Sequence, residues 1–157
     1  MKYSIRKAIP EDISEIINLC AEHAEYEQVS YSPEGKAEKL AAFIFIDNPR
    51  LYCLVAEDEE GIVGYATYMF EFSTWDAGFF VHMDCLYLRP HARGFGIGEA
   101  FIKEIAKQTK QNGCNLIQWQ TPVFNERAIK FYYRIGATAK EKLRLYVNEE
   151  TINKLIK

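Results

Sequence analysis

The segment Arg93-Gly94-Phe95-Gly96-Ile97-Gly98 carries the sharpest chemical signal in this 157-residue chain. Three glycines at alternate positions let backbone N–H groups converge. A helix starting there adds its positive N-terminal end, so the segment suits a phosphate or diphosphate, with Arg93 as a fixed positive charge. The plain alternative is a tight turn. A Walker A loop would need GxxxxGK[ST], and no such string occurs. A dinucleotide fingerprint would need a glycine where Glu99 or Phe101 stands, and Gln118-Trp119-Gln120 at the end of the next strand offers no carboxylate for a ribose.

Ionisable groups in apolar surroundings come next. Within the run Phe79 to Leu88, alternation expects His82 and Asp84 on one face of a strand, which makes Asp84 the first candidate for a proton acceptor and His82 the second. The alternative is that Asp84 merely bonds a loop or buried amide. Tyr132 and Tyr133 stand about 100° apart around a helix, so only one can face a given cleft. Glu22 near the end of one helix, Glu25, Tyr26 and Glu27 in the polar and aromatic connection (Glu25 to Tyr31) that follows it, and Trp75 and Asp76 in a later loop are of the types that hold a cation by charge and by ring faces. Taken singly, each reads as a solvated surface residue. Cys20, Cys53, Cys85 and Cys114 contain no CxxC pair, so they are expected to be free thiols in a reducing compartment, with no metal site.

The elements that must position these groups follow from periodicity. Tyr3 to Ala8 reads as a strand. Pro10-Glu11-Asp12 opens a helix with Ile13, Ile16, Ile17, Cys20 and Ala24 at helical spacing, and a second helix starts at Ser32-Pro33-Glu34. Tyr52 to Ala56, Ile62 to Phe72 and Phe79 to Leu88 form an antiparallel meander. The glycine-rich turn leads a helix to about Lys110, then come a strand over Leu116 to Thr121, a helix over Asn125 to Ile135, a final strand over Leu143 to Val147 and a short closing helix. The expectation is one α/β domain over residues 1–157, with a mixed, mostly antiparallel sheet flanked by helices in the order β-α-α-β-β-β-α-β-α-β.

Leu86 to Gly98, read with Asn125-Glu126-Arg127-Ala128-Ile129-Lys130-Phe131-Tyr132 and Arg134-Ile135-Gly136-Ala137, resembles the acetyl-CoA signature and second conserved block of the GNAT superfamily of N-acetyltransferases. Ala24-Glu25-Tyr26-Glu27, Trp75, the glycine segment and Ala128 to Tyr132 are similar to its spermidine/spermine (diamine) acetyltransferase-like members. The resemblance implies acetyl-CoA as co-substrate, held by Leu86, Tyr87, Leu88, Arg93, Gly94, Phe95, Gly96, Ile97, Gly98 and Asn125. It implies Asp84 as proton acceptor, directly or through water, in place of a glutamate one methylene longer. Tyr132 is implied as the acid that protonates the leaving thiolate, and backbone N–H groups near Leu86 and Leu88 as oxyanion donors on a strand splayed from its neighbour. Glu25, Tyr26, Glu27, Trp75 and His82 would line the acceptor site. The implied reaction is direct acetyl transfer to a small cationic amine (polyamine, diamine or lysine-like amino acid), with no acyl-enzyme and a structural Cys85. An aminoglycoside or protein amine as acceptor, or a non-catalytic acyl-CoA sensor, stays open, and a homodimer is expected.

The net charge of −3 disfavours a general nucleic-acid partner. Residues 1–10 carry +3, residues 11–88 carry −13, residues 89–144 carry +7, and the remainder is neutral. A basic stretch around the glycine segment suits a polyanionic cofactor, and the acidic stretch suits a cationic acceptor. The longest apolar run, Leu40 to Ile46, is far too short for a membrane span, and the N-terminus lacks the apolar core of a signal peptide, so a cytoplasmic protein is expected.

Overall fold

The computed structural model describes residues 2–157. The chain falls into two compact units, the first ending at Asn125 and the second running Glu126–Lys157. The first contains β1 (Ser4–Lys7), α1 (Ile13–Tyr26), α2 (Lys36–Ile44), β2 (Tyr52–Asp58), β3 (Gly61–Ser73), β4 (Gly78–Leu88), α3 (Ile97–Gln111) and β5 (Ile117–Gln118). The second contains α4 (Glu126–Arg134) and α5 (Glu149–Leu155).

The expected α/β architecture is present: a five-stranded mixed sheet in the order β1-β2-β3-β4-β5, antiparallel except for the parallel β4–β5 pair. Alternation along β2 and β3 sends Val55, Cys53 and Tyr65 into one cluster with Ile16 and Leu19 of α1, Ile44 of α2 and Tyr87 of β4. Leu54, Ala56, Ala66 and Tyr68 alternate to the opposite face and are equally buried. That double burial explains why the meander reads as near-continuous apolar runs. Gly64 is required by close approach rather than by a turn: a Cβ there would lie 2.6 Å from the Tyr87 carbonyl oxygen across the ladder.

Arg89, immediately after β4, fixes α1 to the sheet. Its N–H donates to the Val63 carbonyl at 2.9 Å, and its guanidinium reaches Glu15 at 2.6 Å, Glu22 at 2.7 Å and the Ile62 carbonyl at 3.0 Å. These contacts join two turns of α1 to the end of two strands, in a partly buried setting where charge-assisted bonds are strong.

The expected final strand is not formed. Leu143 to Val147 lies in no ladder among the described residues, and Leu143 is 90% exposed. Its alternation gives the segment strand propensity, but a strand exists only where a neighbour takes its N–H and C=O groups. The strand expected over Leu116 to Thr121 is likewise reduced to Ile117–Gln118, a shortening that shapes the site.

Candidate functional site

The site begins with an irregularity in β4. Tyr68 pairs with Met83 and Thr67 with Cys85, so Asp84 is an extra residue with no partner on β3, a β-bulge. Alternation therefore does not run through this strand as the sequence suggests, and His82 and Asp84 are not simply related by one face. Asp84 is exposed. His82, two residues back and half-buried, pairs with Met69 on one side and Gln118 on the other.

The bulge also redirects the backbone. Before it, Val81 turns its N–H toward β5, bonding the Leu116 carbonyl at 2.9 Å. After it, Arg89 N–H goes to β3, and alternation assigns Tyr87 to β3 as well, leaving the N–H groups of Leu86 and Leu88 on the β5 side. Pairing with β5 ends at His82–Gln118. From Met83 to Leu88 no strand among the described residues joins that side of β4, so the sheet opens there with two N–H groups aimed into the gap. Tyr87 instead presents its ring to α1.

The glycine segment follows directly. Gly94 and Gly96 adopt φ of 93° and 83°, a left-handed conformation that glycine takes without strain, and Gly96 caps α3. Ile97 is buried and anchors the helix, whereas Gly94, Phe95 and Gly96 are exposed, and a Cβ at Gly94 would meet nothing within 4 Å. Backbone donors at the positive end of a 15-residue helix thus face open space beside the unpaired edge of β4. This cradle and edge fit a ligand with a diphosphate and a strand-like amide arm.

Arg93 is tied to the end of β4 and to two tyrosines. Its Nε donates to the Leu88 carbonyl at 2.8 Å, and its guanidinium carbon lies 4.8 Å from the Tyr26 ring centre and 5.6 Å from that of Tyr87. Tyr26 in turn donates its hydroxyl to Asn125 Oδ1 at 2.8 Å. The end of α1, the end of β4 and the segment before α4 are thereby knit by one aromatic and cationic group. Asn125 is buried.

The acidic candidates separate. Glu22 is taken by Arg89 and by the Tyr87 hydroxyl at 3.4 Å, so its charge is used internally. Glu25 is exposed, and Glu27 lies 3.2 Å from His23 Nε2. Asp76 accepts from Ser73 at 2.6 Å at the tip of the β3–β4 hairpin, where Trp75 is 98% exposed. Strand rise puts that tip roughly 20 Å from Asp84 measured along β4. In the second unit, Tyr132 of α4 is half-buried with its ring 5.2 Å from Phe131, whereas Tyr133 is 55% exposed.

All four cysteines are free. Cys85 Sγ lies 3.7 Å from Asp84 Oδ2, and burial pushes its thiol up to about 12, which keeps it protonated and unsuited to nucleophilic attack. His23 and Tyr65 were missed in the sequence. The only signal was His23 standing four residues before Glu27, one helical turn.

The sequence pattern of the Acetyltransferase (GNAT) family matches residues 13–137, which include the Asp84 bulge, the open edge of β4 and the glycine segment. The chain belongs to this family. It is an N-acetyltransferase. Thialysine N-epsilon-acetyltransferase of Mus musculus is 35% identical over 141 residues, covering 85% of this chain and 82% of that protein. Spermidine/spermine N(1)-acetyltransferase-like protein 1 of Homo sapiens is 30% identical over 142 residues, 86% of this chain but 20% of that longer protein. Among solved structures, an integron cassette protein from the mobile metagenome of V. cholerae superposes with a TM-score of 0.79 at 26% identity, covering 100% of this chain and 99% of that one. No helix of this acetyltransferase, among the described residues, is long and apolar enough to cross a membrane.

Proposed function

We propose that this acetyltransferase moves the acetyl group of acetyl-CoA directly to the primary amine of a small cationic acceptor (a polyamine, a diamine or a lysine-like amino acid) in a ternary complex. The observation that carries the reading is the unpaired edge of β4 between the Asp84 bulge and the glycine cradle. The acidic end of α1 and the split of charge along the chain support a cationic acceptor, and the relatives named for thialysine and for spermidine/spermine point the same way. Residues 1–157 would act as a single acetyltransferase domain, in the cytoplasm and as a homodimer.

Acetyl-CoA supplies a thioester carbonyl and a thiolate leaving group. Gly94 to Gly98 would hold its diphosphate on backbone N–H groups, and Asn125 would contact the cofactor from the segment before α4. Leu86 and Leu88 would offer N–H donors to the carbonyl oxygen as negative charge develops there, an arrangement worth about 2.7–4 kcal/mol per donor in comparable sites. An alkylamine arrives protonated, with an ordinary pKa of about 10.4, so a base must take its proton. Asp84, exposed at the bulge, would do so directly or through water, with His82 the second choice. Tyr132 would give its phenolic proton to the departing sulfur. Glu25 and Glu27 would receive the cation, with Tyr26 beside them; Trp75, at a hairpin tip roughly 20 Å along β4 from Asp84, would reach only the far end of a long acceptor. With its thiol held protonated, Cys85 takes no covalent part.

A thiol-release assay with acetyl-CoA across polyamines, diamines, lysine analogues, aminoglycosides and lysine peptides tests the reading. Turnover is expected with the small aliphatic amines. Turnover confined to aminoglycosides or peptides would refute the acceptor assignment, and acetyl-CoA binding without turnover of any amine would mark a sensor. Tyr132→Phe should lower kcat by about 100-fold while acetyl-CoA affinity stays within about twofold; an unchanged kcat removes Tyr132 from the chemistry. Asp84→Asn, left to react only with amine that arrives already neutral, should make kcat/KM rise more steeply with pH toward the amine's pKa, and an unaltered profile would count against Asp84 as the base.

A further inference from the structure

His23 lies on the inner face of α1, one turn before Glu27, and its side chain is only 14% exposed. Its Nε2 is 3.2 Å from Glu27 Oε1 and its Nδ1 is 3.1 Å from the Tyr65 hydroxyl. The ring stacks on Tyr87, centres 5.2 Å apart and planes at 24°, and meets Tyr65 edge-on. With the ring neutral, these contacts admit one proton arrangement. A carboxylate only accepts, so Nε2 must carry hydrogen. In the neutral ring Nδ1 is then an acceptor, and the Tyr65 O–H must donate to it. Burial raises Tyr65 far above the ordinary phenol range, so that proton is always present, with the thiols of Cys20 and Cys85 against the same oxygen.

We propose that His23 is a positioning residue for the acceptor: locked as the Nε2–H tautomer by Tyr65, it holds the Glu27 carboxylate in one orientation with its charge uncancelled, ready to pair with the incoming ammonium. This rests on the reading of the acceptor as a cationic amine. A neutral imidazole is needed, because an imidazolium would cancel the Glu27 charge. The groups around the ring are Glu27 on its own helix, Tyr65 of β3 and Tyr87 of β4, with the charges of Asp84 and Arg93 acting on it and the thiols of Cys20 and Cys85 behind the Tyr65 hydroxyl. Burial outweighs the pull of Glu27 and Asp84 and, with Arg93 adding to it, holds His23 below its ordinary 6.5. The neutral form therefore prevails at pH 7, and the device fails as pH drops through that titration.

The test is steady-state kinetics with the best amine of the acceptor panel from pH 5 to 8, varying amine and acetyl-CoA separately. His23→Leu should raise the amine KM by about tenfold, the scale of a lost hydrogen bond to a charge, with kcat and the acetyl-CoA KM within about twofold. His23→Gln, which keeps an N–H donor but cannot titrate, should restore the amine KM at neutral pH and abolish its rise on the acid side. If the leucine variant does not fold, Tyr65→Phe, which removes the hydroxyl that fixes the tautomer, should raise the amine KM alone. An unchanged amine KM, or equal losses in kcat and both KM values, would overturn the inference while leaving the acceptor reading standing. If no amine is turned over although acetyl-CoA binds, the acceptor reading fails and the inference falls with it.

Discussion

Along β4 one ladder continues while the other stops. Pairing with β3 runs from Gly78 to Leu88, whereas pairing with β5 ends at His82. An unsatisfied backbone donor is costly when buried and useful when a ligand can fill it. The open edge follows from that difference, because the extra residue at Asp84 shifts which N–H groups face the opening. The same extra residue brings a carboxylate to the surface beside those donors. A regular strand would have neither placed Leu86 and Leu88 toward the gap nor freed Asp84 from the pleat.

The opening is useful only if its walls are held, and a few directional contacts hold them. Arg89 draws Glu15 and Glu22 of α1 onto the end of β4. Arg93, lodged against Tyr26 and Tyr87 and bonded to the Leu88 carbonyl, continues that anchor to the edge itself. Tyr87 touches both anchors, its hydroxyl on Glu22 with Arg89 and its ring against Arg93 and His23. Polar side chains are thus spent on holding α1 against the sheet, which leaves Glu25 and Glu27 as the acidic groups at its end that neither arginine claims. The charge split in the sequence is therefore partly internal: Glu15 and Glu22 belong to the scaffold, and fewer carboxylates face a ligand than the raw count implies.

The meander and the glycine turn were legible because their signals are local. Apolar runs bounded by Asp58-Glu59-Glu60-Gly61 and Ser73 to Gly78 can hardly be other than hairpins, and Gly94 and Gly96 take backbone angles that few other residues tolerate. The bulge was not legible. Met83-Asp84-Cys85-Leu86-Tyr87-Leu88 reads as an unbroken strand, and only the partner register shows that one residue is extra. Leu143 to Val147 failed for the complementary reason: alternation is a property of a segment, but a strand is a property of a pair. His23 was only half legible: its spacing from Ile16, Cys20 and Glu27 is local, but its partner is a tyrosine forty-two residues away.

Amide hydrogen exchange at Leu86, Tyr87 and Leu88, with and without acetyl-CoA, tests the central claim most directly. Leu86 and Leu88 should exchange fast in the free protein, with Tyr87 protected by β3, and both should become protected when acetyl-CoA binds. If Leu86 and Leu88 are already as protected as Tyr87 without ligand, or stay fast with ligand saturating, β4 has no open edge that binds the donor and the account is wrong.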